Sequence, residues 1–192
     1  MDSKFFTFIK PALTFVDNGD FFRKPFNWLY TILAALNLLA PIFILISAIN
    51  NNIFTTPAKY IIVFILVWLV VLLVSWLSFQ LWWDRREKVA KTSEVGQDFI
   101  ATPVFSHFIQ TIGEWFGLWV GILGFAFALI ATIFLGSDGD FMARQLGMGF
   151  LGVGFQNIIL MPIYGFLIIV FFRFLAETFR ALASIANNTK KI

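Results

Sequence analysis

Residues 60–83 read YIIVFILVWLVVLLVSWLSFQLWW, a stretch that contains no acidic or basic side chain. A helix needs about 20 predominantly apolar residues to cross the hydrocarbon core of a bilayer. The apolar residues here do not alternate with polar ones, as they would in the strands of a membrane-spanning barrel. The stretch therefore predicts a transmembrane helix.

Three other runs of the chain are also long and predominantly apolar, and they cover residues 26–49, 113–135 and 146–172. Of the 192 residues, 59% are hydrophobic and only 13% are charged, and the mean hydropathy is +0.85. Soluble domains carry about 25% charged residues, so this chain has too little polar surface to cover a water-soluble globule. We predict an all-α polytopic membrane protein, in which four transmembrane helices form a single domain over residues 1–192.

Two amphipathic segments flank the four predicted spans. In residues 3–16 the apolar side chains recur at helical spacing, which predicts a short N-terminal helix lying in the membrane interface. After residue 172 the apolar positions continue at helical spacing, while Arg173, Glu177 and Arg180 share the opposite face. This pattern predicts an amphipathic C-terminal helix that lies on the membrane or packs on a partner.

The distribution of lysine and arginine predicts the orientation of the chain. Twelve of the 14 basic residues fall in the N-terminal segment, in the loop at residues 84–102 and in the C-terminal tail. Only Lys59 and Arg144 lie in the other two connections. Because cytoplasmic loops are enriched in Lys and Arg, we expect both termini and the middle loop to be cytoplasmic.

Small residues recur along one face of the third span. They lie three or four positions apart and are Gly113, Gly117, Gly121, Gly124 and Ala128. The same face continues towards the N-terminus through Glu114, Gln110 and His107. Small residues at this spacing allow helix backbones to approach closely, so we expect the face to pack against another helix, either in the same chain or in a second copy. A weaker stripe in the fourth span includes Gly149 and Gly152.

The spans contain few polar side chains, and those that stand out are Glu114, Gln156, Asn157 and Asn37. A carboxylate at the bilayer centre costs about 2.5–3.5 kcal/mol on insertion scales, and amides within a bilayer usually bond across helices. Glu114 lies at the cytoplasmic end of its span, at a depth similar to that of Arg173, so we expect an ion pair between them. The alternative is a role for Glu114 in moving an ion or a proton.

The sequence offers little catalytic chemistry. It has no cysteine and one histidine, His107, whereas a metal site normally needs about three good ligands. No nucleophile–base motif, metalloprotease motif or phosphate-binding loop is present. We expect no catalytic residues, no metal and no cofactor. The net charge of +3 reflects topology, and we expect no nucleic-acid partner.

The tail RFLAETFRALASIANNTKKI begins at Arg173 and follows the last apolar span. At Arg173, Glu177, Arg180 and residues 185–188 it resembles the ends of small bacterial inner-membrane proteins classed as domains of unknown function. The resemblance implies a place in the inner (plasma) membrane of a bacterium, and it implies no activity.

These observations predict a non-enzymatic integral membrane protein, an accessory or assembly subunit that packs on partner membrane proteins or associates with itself. The basis is the small-residue faces, the amphipathic tail and the missing catalytic motifs. The alternative is a small oligomeric channel or transporter for ions or a small solute, which would use Glu114, Gln156 and Asn157. A third hypothesis is an enzyme that acts on lipid through His107.

Overall fold

A computed structural model describes residues 9–17, 20–91, 101–145 and 152–189 of the chain. In these ranges the regular structure is helical, and no strand is present. Four helices are long and apolar enough to cross a membrane. The prediction of an all-α polytopic membrane protein is therefore confirmed.

Six helices follow one another along the described chain. In order they are α1 (Lys10–Asp17), α2 (Asp20–Asn50), α3 (Ala58–Ala90), α4 (Ala101–Leu135), α5 (Asp138–Gln145) and α6 (Phe155–Thr189). The four long helices are α2, α3, α4 and α6, and they contain the four predicted spans except for the first residues of the fourth. In α4 the segment Trp119–Leu123 is wound as a π-helix.

The connection between α2 and α3 is a short antiparallel turn. Asn52 has a φ of 55°, a left-handed conformation that asparagine tolerates better than most residues. Pro57 immediately precedes the first residue of α3, where its fixed φ is compatible with the helix start. The NNIFTTP segment therefore reverses the chain between α2 and α3.

Three of the long helices are longer than the membrane is thick. The helices α3, α4 and α6 contain 33, 35 and 35 residues. At 1.5 Å per residue each is about 50 Å long, against a hydrocarbon core of about 30 Å. They extend past the predicted spans at one end, which we call the basic end and define by its cationic residues Arg23, Lys24, Arg85, Arg86, Lys88, Arg173 and Arg180.

The helices pack in chain order and leave one of them at an open edge. The helix α2 packs along α3, α3 contacts α4, and α4 packs along nearly the whole of α6. Among the described helices, α6 contacts α4 alone. The side of α6 that faces away from α4 therefore has no protein neighbour in the described part of the chain.

Two apolar clusters fill the interior. One lies towards the end opposite the basic end and includes Val67, Leu123, Phe127 and Met161. The other lies at the basic end and contains the buried residues Tyr30, Ala34, Trp82, Val89 and Val104. Many other large apolar side chains point outwards along the spans, as expected of a surface that meets acyl chains.

The start of the fourth long helix differs from the prediction at residue 146. Residues 152–154 are not helical, and α6 begins at Phe155. Gly154 has a φ of +102°, a conformation that glycine adopts readily and that a helix cannot contain, so α6 cannot extend back through it. Residues 146–151, including Gly149 of the predicted small-residue stripe, lie outside the described residues.

Two short helices of the described chain accompany the four long ones. Residues 136–137 form a turn after α4, and α5 follows it. Asp138 and Asp140 in the first turn and Arg144 in the last complement the helix dipole, which favours this short helix. At the N-terminus α1 begins at Lys10 with Pro11 in its first turn, where proline is tolerated, and residues 1–8 lie outside the described part.

Candidate functional site

The glycine face of α4 lies directly against α6. A side-chain carbon added at Gly113 would overlap Phe172, and one added at Gly117 would overlap Ile169 and lie 2.6 Å from the carbonyl oxygen of Gly165. One added at Gly124 would lie 3.0 Å from Met161. Because the two helices approach this closely, larger residues on the face would force them apart.

The last helix contributes a glycine of its own to this contact. A Cβ at Gly165 would lie 2.6 Å from the Gly117 carbonyl oxygen and 2.6 Å from the Gly121 Cα. Both are backbone atoms, which cannot move aside as the end of a flexible side chain can. We call this contact the glycine seam and define it as Gly113, Gly117, Gly121 and Gly124 on α4 with Gly165 on α6.

The sequence prediction did not include Gly165. It is the only glycine in α6, so an isolated glycine within a long apolar helix was the available signal. Of the other predicted small residues, Ala128 is fully buried in α4. Gly152 lies against the side-chain amide of Asn157 and precedes α6, so it is not part of a contact between two long helices.

Glu114 forms an ion pair with Arg85 of α3, and not with Arg173 as expected. The Arg85 Nε and Nη2 atoms donate to the two carboxylate oxygens of Glu114, each at 2.9 Å, in the bidentate geometry that is strongest for such pairs. Arg173 instead donates to Glu177, one turn along α6, at 3.1 Å. The Phe172 side chain packs against Gly113 of α4. Successive side chains in a helix are rotated by about 100° around its axis, so Arg173 points away from α4.

The ion pair extends to the last helix through an amide. Gln110 donates from Nε2 to Glu114 at 2.8 Å, and its Oε1 accepts a hydrogen bond from Arg180 Nη2 at 3.0 Å. Four side chains at the basic end therefore form a continuous series of hydrogen bonds from α3 through α4 to α6. We call this series the polar chain, and its members are Arg85, Glu114, Gln110 and Arg180. The side chains of Arg85 and Glu114 are only 21% and 12% exposed, so neither charge is fully hydrated.

Three hydrogen bonds between an aromatic side chain and a polar side chain join α4 to α2 and α3. The Tyr30 hydroxyl lies 3.1 Å from Thr111 Oγ1, and Trp115 Nε1 donates to Asn37 Oδ1 at 2.9 Å, both joining α2 to α4. Trp119 Nε1, in the π-helical segment, donates to Ser78 of α3 at 3.0 Å. Asn37, which the sequence singled out as a lone intramembrane amide, thus bonds across helices.

The amides of the fourth predicted span lie at the opposite end of the bundle from Glu114. Gln156 is exposed, and Asn157 donates to the Val153 carbonyl at 2.9 Å, just before α6. The nearby Gly154 N–H donates to Thr132 Oγ1 at 2.7 Å. Thr132 is 18 residues from Glu114 in the sequence, a rise of about 27 Å. The glycine seam separates the two polar groups.

A surface ion pair joins α3 to α5 at that opposite end. Lys59 Nζ lies 2.6 Å from Asp138 Oδ2, which also accepts a hydrogen bond from the Tyr60 hydroxyl at 3.3 Å. The hydrogen bond from Lys59 holds the pKa of the Asp138 carboxyl below its usual value. Both side chains are about half exposed, at 46% and 49%, so the pair contributes little to stability.

An open apolar groove of about 500 Å³ runs beside the glycine seam. Side chains of α4 and α6 line it: Phe116, Val120, Met161, Tyr164, Leu167, Ile168 and Phe171. It holds no cluster of acids or amides. Across residues 9–17, 20–91, 101–145 and 152–189, no three His, Asp or Glu side chains are placed to hold a metal ion.

Comparisons with protein families, curated proteins and solved structures find no match for this chain. The glycine seam, the polar chain and the uncovered side of α6 are the features of this chain that bear on its function.

Proposed function

We propose that the chain is a non-enzymatic accessory or assembly subunit of a bacterial inner membrane, and that it packs on a partner membrane protein through the uncovered side of α6. The observation that carries the proposal is the placement of this helix. It is 35 residues long, yet among the described helices it contacts α4 alone.

The part of α6 beyond Arg173 supports the proposal most directly. Phe174, Leu182 and Ile185 are 65%, 58% and 63% exposed. Leu182 and Ile185 lie about 14 and 18 Å along the helix past Arg173, where the apolar span ends. Acyl chains cover apolar residues within the hydrocarbon core, but they do not reach this far along a helix that continues straight. Exposed apolar patches bordered by charged residues are typical of interaction sites.

The proposed orientation places the basic end in the cytoplasm. Of the described connections, those at the opposite end carry only Lys59 and Arg144, whereas the basic end holds most of the arginines and lysines. We call residues 174–189 of α6 the docking arm, and the positive-inside tendency would then place it in the cytoplasm. Its charged face, with Glu177 and Arg180, would border the contact.

The geometry gives less support to a channel or transporter in which Glu114, Gln156 and Asn157 share one pathway. Glu114 is held by Arg85 and Gln110, and it lies about 27 Å along α4 from Thr132, which bonds to Gly154 just before Gln156 and Asn157. A proton or ion that used both Glu114 and the amides Gln156 and Asn157 would have to cross the tightly packed glycine seam between these groups.

Photo-cross-linking in cells tests the proposed docking arm. A photoreactive amino acid replaces Leu182 on the apolar face of α6 or, as the control, Ser184, which is also exposed and lies about 160° away around the helix. We expect a discrete protein adduct from position 182 and none from position 184. An adduct of twice the chain's own mass would identify the partner as a second copy. Labelling of lipid alone from position 182 would contradict the proposal.

A flux measurement tests the alternative. The purified chain in proteoliposomes should show no movement of protons or monovalent cations above that of empty vesicles. A flux that Glu114→Gln abolishes, while Glu177→Gln leaves it unchanged, would replace the accessory role with a transport role. The exposed Glu177 is the matched control because it loses the same charge outside the polar chain.

A further inference from the structure

Two neighbouring arginines at the end of α3 have opposite surroundings. Arg85 is neutralised by the Glu114 carboxylate. Arg86 has no ion pair with any acidic side chain of the described ranges, although it is partly buried. Taking a guanidinium partly out of water without a counter-ion is unfavourable, so the environment of Arg86 is suited to an anion that the chain does not itself supply.

The side chain of Arg86 is held in a defined position. Its guanidinium carbon lies 3.9 Å from the centre of the Trp83 ring, a stacked cation–π contact one turn away on the same helix. Its Nη1 atom lies 3.5 Å from Thr31 Oγ1 on α2, at the limit of a hydrogen bond. A guanidinium has five N–H donors in a planar fork that matches a phosphate, and Thr31 engages only one of them.

The neighbouring side chains favour an anion rather than compete for Arg86. Asn27 lies one turn before Thr31 on α2, and its Oδ1 atom is buried without a hydrogen-bond partner. Rotating this amide by half a turn would place its NH₂ donors where Oδ1 now lies, one turn along α2 from Thr31. Of the nearby acids, Asp84 pairs with Lys88 at 3.0 Å, and the exposed Glu87 makes no ion pair with Arg86.

The position of Arg86 matches that of lipid headgroups. It lies where α2 and α3 pack together, past the end of the apolar run at residues 60–83. Trp28 and Trp83 flank this level and are 73% and 41% exposed. Tryptophan concentrates at headgroup depth, where its ring meets lipid and its N–H meets water. A phosphate ester at this depth would face the guanidinium while its acyl chains continue along the helices.

We propose that Arg86, positioned by Trp83 and Thr31, binds the phosphate of one anionic phospholipid in the groove between α2 and α3. An anionic lipid fits better than a zwitterionic one, because a choline or ethanolamine group would place a second cation beside the guanidinium. The lipid lies on the α2–α3 side of the bundle, away from the docking arm on α6, so this site does not depend on the proposed function.

Native mass spectrometry of the purified full-length chain in detergent tests the proposal. Phosphatidylglycerol, phosphatidylcholine and inorganic phosphate are titrated separately. We expect one phosphatidylglycerol to bind about tenfold more tightly than phosphatidylcholine, a ratio equivalent to about 1.4 kcal/mol. Inorganic phosphate at millimolar concentration should not displace it, since the groove also holds the acyl chains.

Two arginine variants with the same charge change separate a defined site from general attraction. Arg86→Gln should weaken phosphatidylglycerol binding about tenfold, to the level of phosphatidylcholine. Arg173→Gln, on a helix that does not contact α2 or α3, should change it by less than about twofold. If Arg86→Gln does not fold, Trp83→Leu and Thr31→Val keep the charge but remove the groups that position it, and each should weaken binding about threefold.

Three results would overturn the proposal. Equal weakening by Arg86→Gln and Arg173→Gln would mean that the lipid is attracted by overall charge. Equal affinities for the two lipids would mean that the site does not select an anion. Displacement by inorganic phosphate would mean that the ligand is a soluble phosphate and not a lipid.

Discussion

Replacing Gly165 by alanine should destabilise the protein by about 1–3 kcal/mol, because a single added methyl group overpacks the glycine seam. The new Cβ would lie 2.6 Å from the Gly117 carbonyl oxygen and 2.7 Å from the Gly121 nitrogen. Since these atoms belong to the backbone of α4, relief requires moving one whole helix relative to the other. The larger Gly165→Leu substitution should prevent α6 from seating on α4.

Gly121→Ala is the matched control for this prediction. It is the same change on the other side of the same seam, but the nearest atom to its Cβ is the Gly165 Cα at 3.5 Å, an ordinary contact distance. Alanine also favours a helix over glycine by about 1 kcal/mol, so Gly121→Ala should be neutral or slightly stabilising. Thermal unfolding of both variants in the same detergent measures the difference. Equal midpoints for Gly165→Ala and Gly121→Ala would contradict the close approach of α4 and α6.

Removing the Glu114 carboxylate should be comparably destabilising. Glu114→Ala leaves the Arg85 guanidinium partly buried without a counter-ion and takes away a hydrogen-bond acceptor of Gln110. Breaking one side of a buried ion pair costs about 3–5 kcal/mol, and we expect about 3 kcal/mol here because Arg85 is still 21% exposed. The free energy of unfolding in detergent is the measurement.

Two further variants separate the ion pair from other effects of the substitution. Glu177→Ala breaks the pair with Arg173, whose side chains are 59% and 60% exposed, and should cost about 0.5 kcal/mol or less. The double variant Glu114→Leu with Arg85→Met removes both charges and should recover most of the lost stability. A double variant no more stable than Glu114→Ala would show that Glu114 does not act through Arg85.

The fold follows from the sequence because the membrane imposes strong rules on it. Length and hydropathy alone indicate that residues 60–83 span a bilayer as a helix. A single segment within the hydrocarbon core can satisfy its backbone hydrogen bonds only in a helix. The glycine face of α4 can also be predicted from the sequence, because the spacing of Gly117, Gly121 and Gly124 places them on one side of a helix. Periodicity on one helix does not say which helix it meets, and the pairing with Gly165 needed the structure.

The ion-pair partner of Glu114 shows where sequence reasoning stops. Arg85 and Arg173 both lie near the depth of Glu114, so depth in the membrane cannot choose between them. The choice depends on the direction of each side chain around its helix axis. Phe172 occupies the position that faces Gly113, which turns Arg173 outwards, while α3 presents Arg85 to the other side of α4.

The proposed interactions use opposite edges of the molecule. Among the described helices, α2 and α6 do not contact each other, and each occupies one end of the packing order. The proposed lipid site lies between α2 and α3, while the proposed docking arm is α6. The polar chain at the basic end joins α3, α4 and α6, and it would hold the docking arm in a fixed position relative to the lipid site.

Thiol labelling across the membrane tests most directly the central claim, that four helices cross the bilayer with the docking arm on the cytoplasmic side. The natural chain has no cysteine, so single cysteines can replace Asn51, Ser137 and Ser184 without background. A membrane-impermeant maleimide should label positions 51 and 137 in intact cells, and position 184 only after the membrane is opened. Labelling of position 184 in intact cells, or of positions 51 and 137 from different sides, would contradict this arrangement.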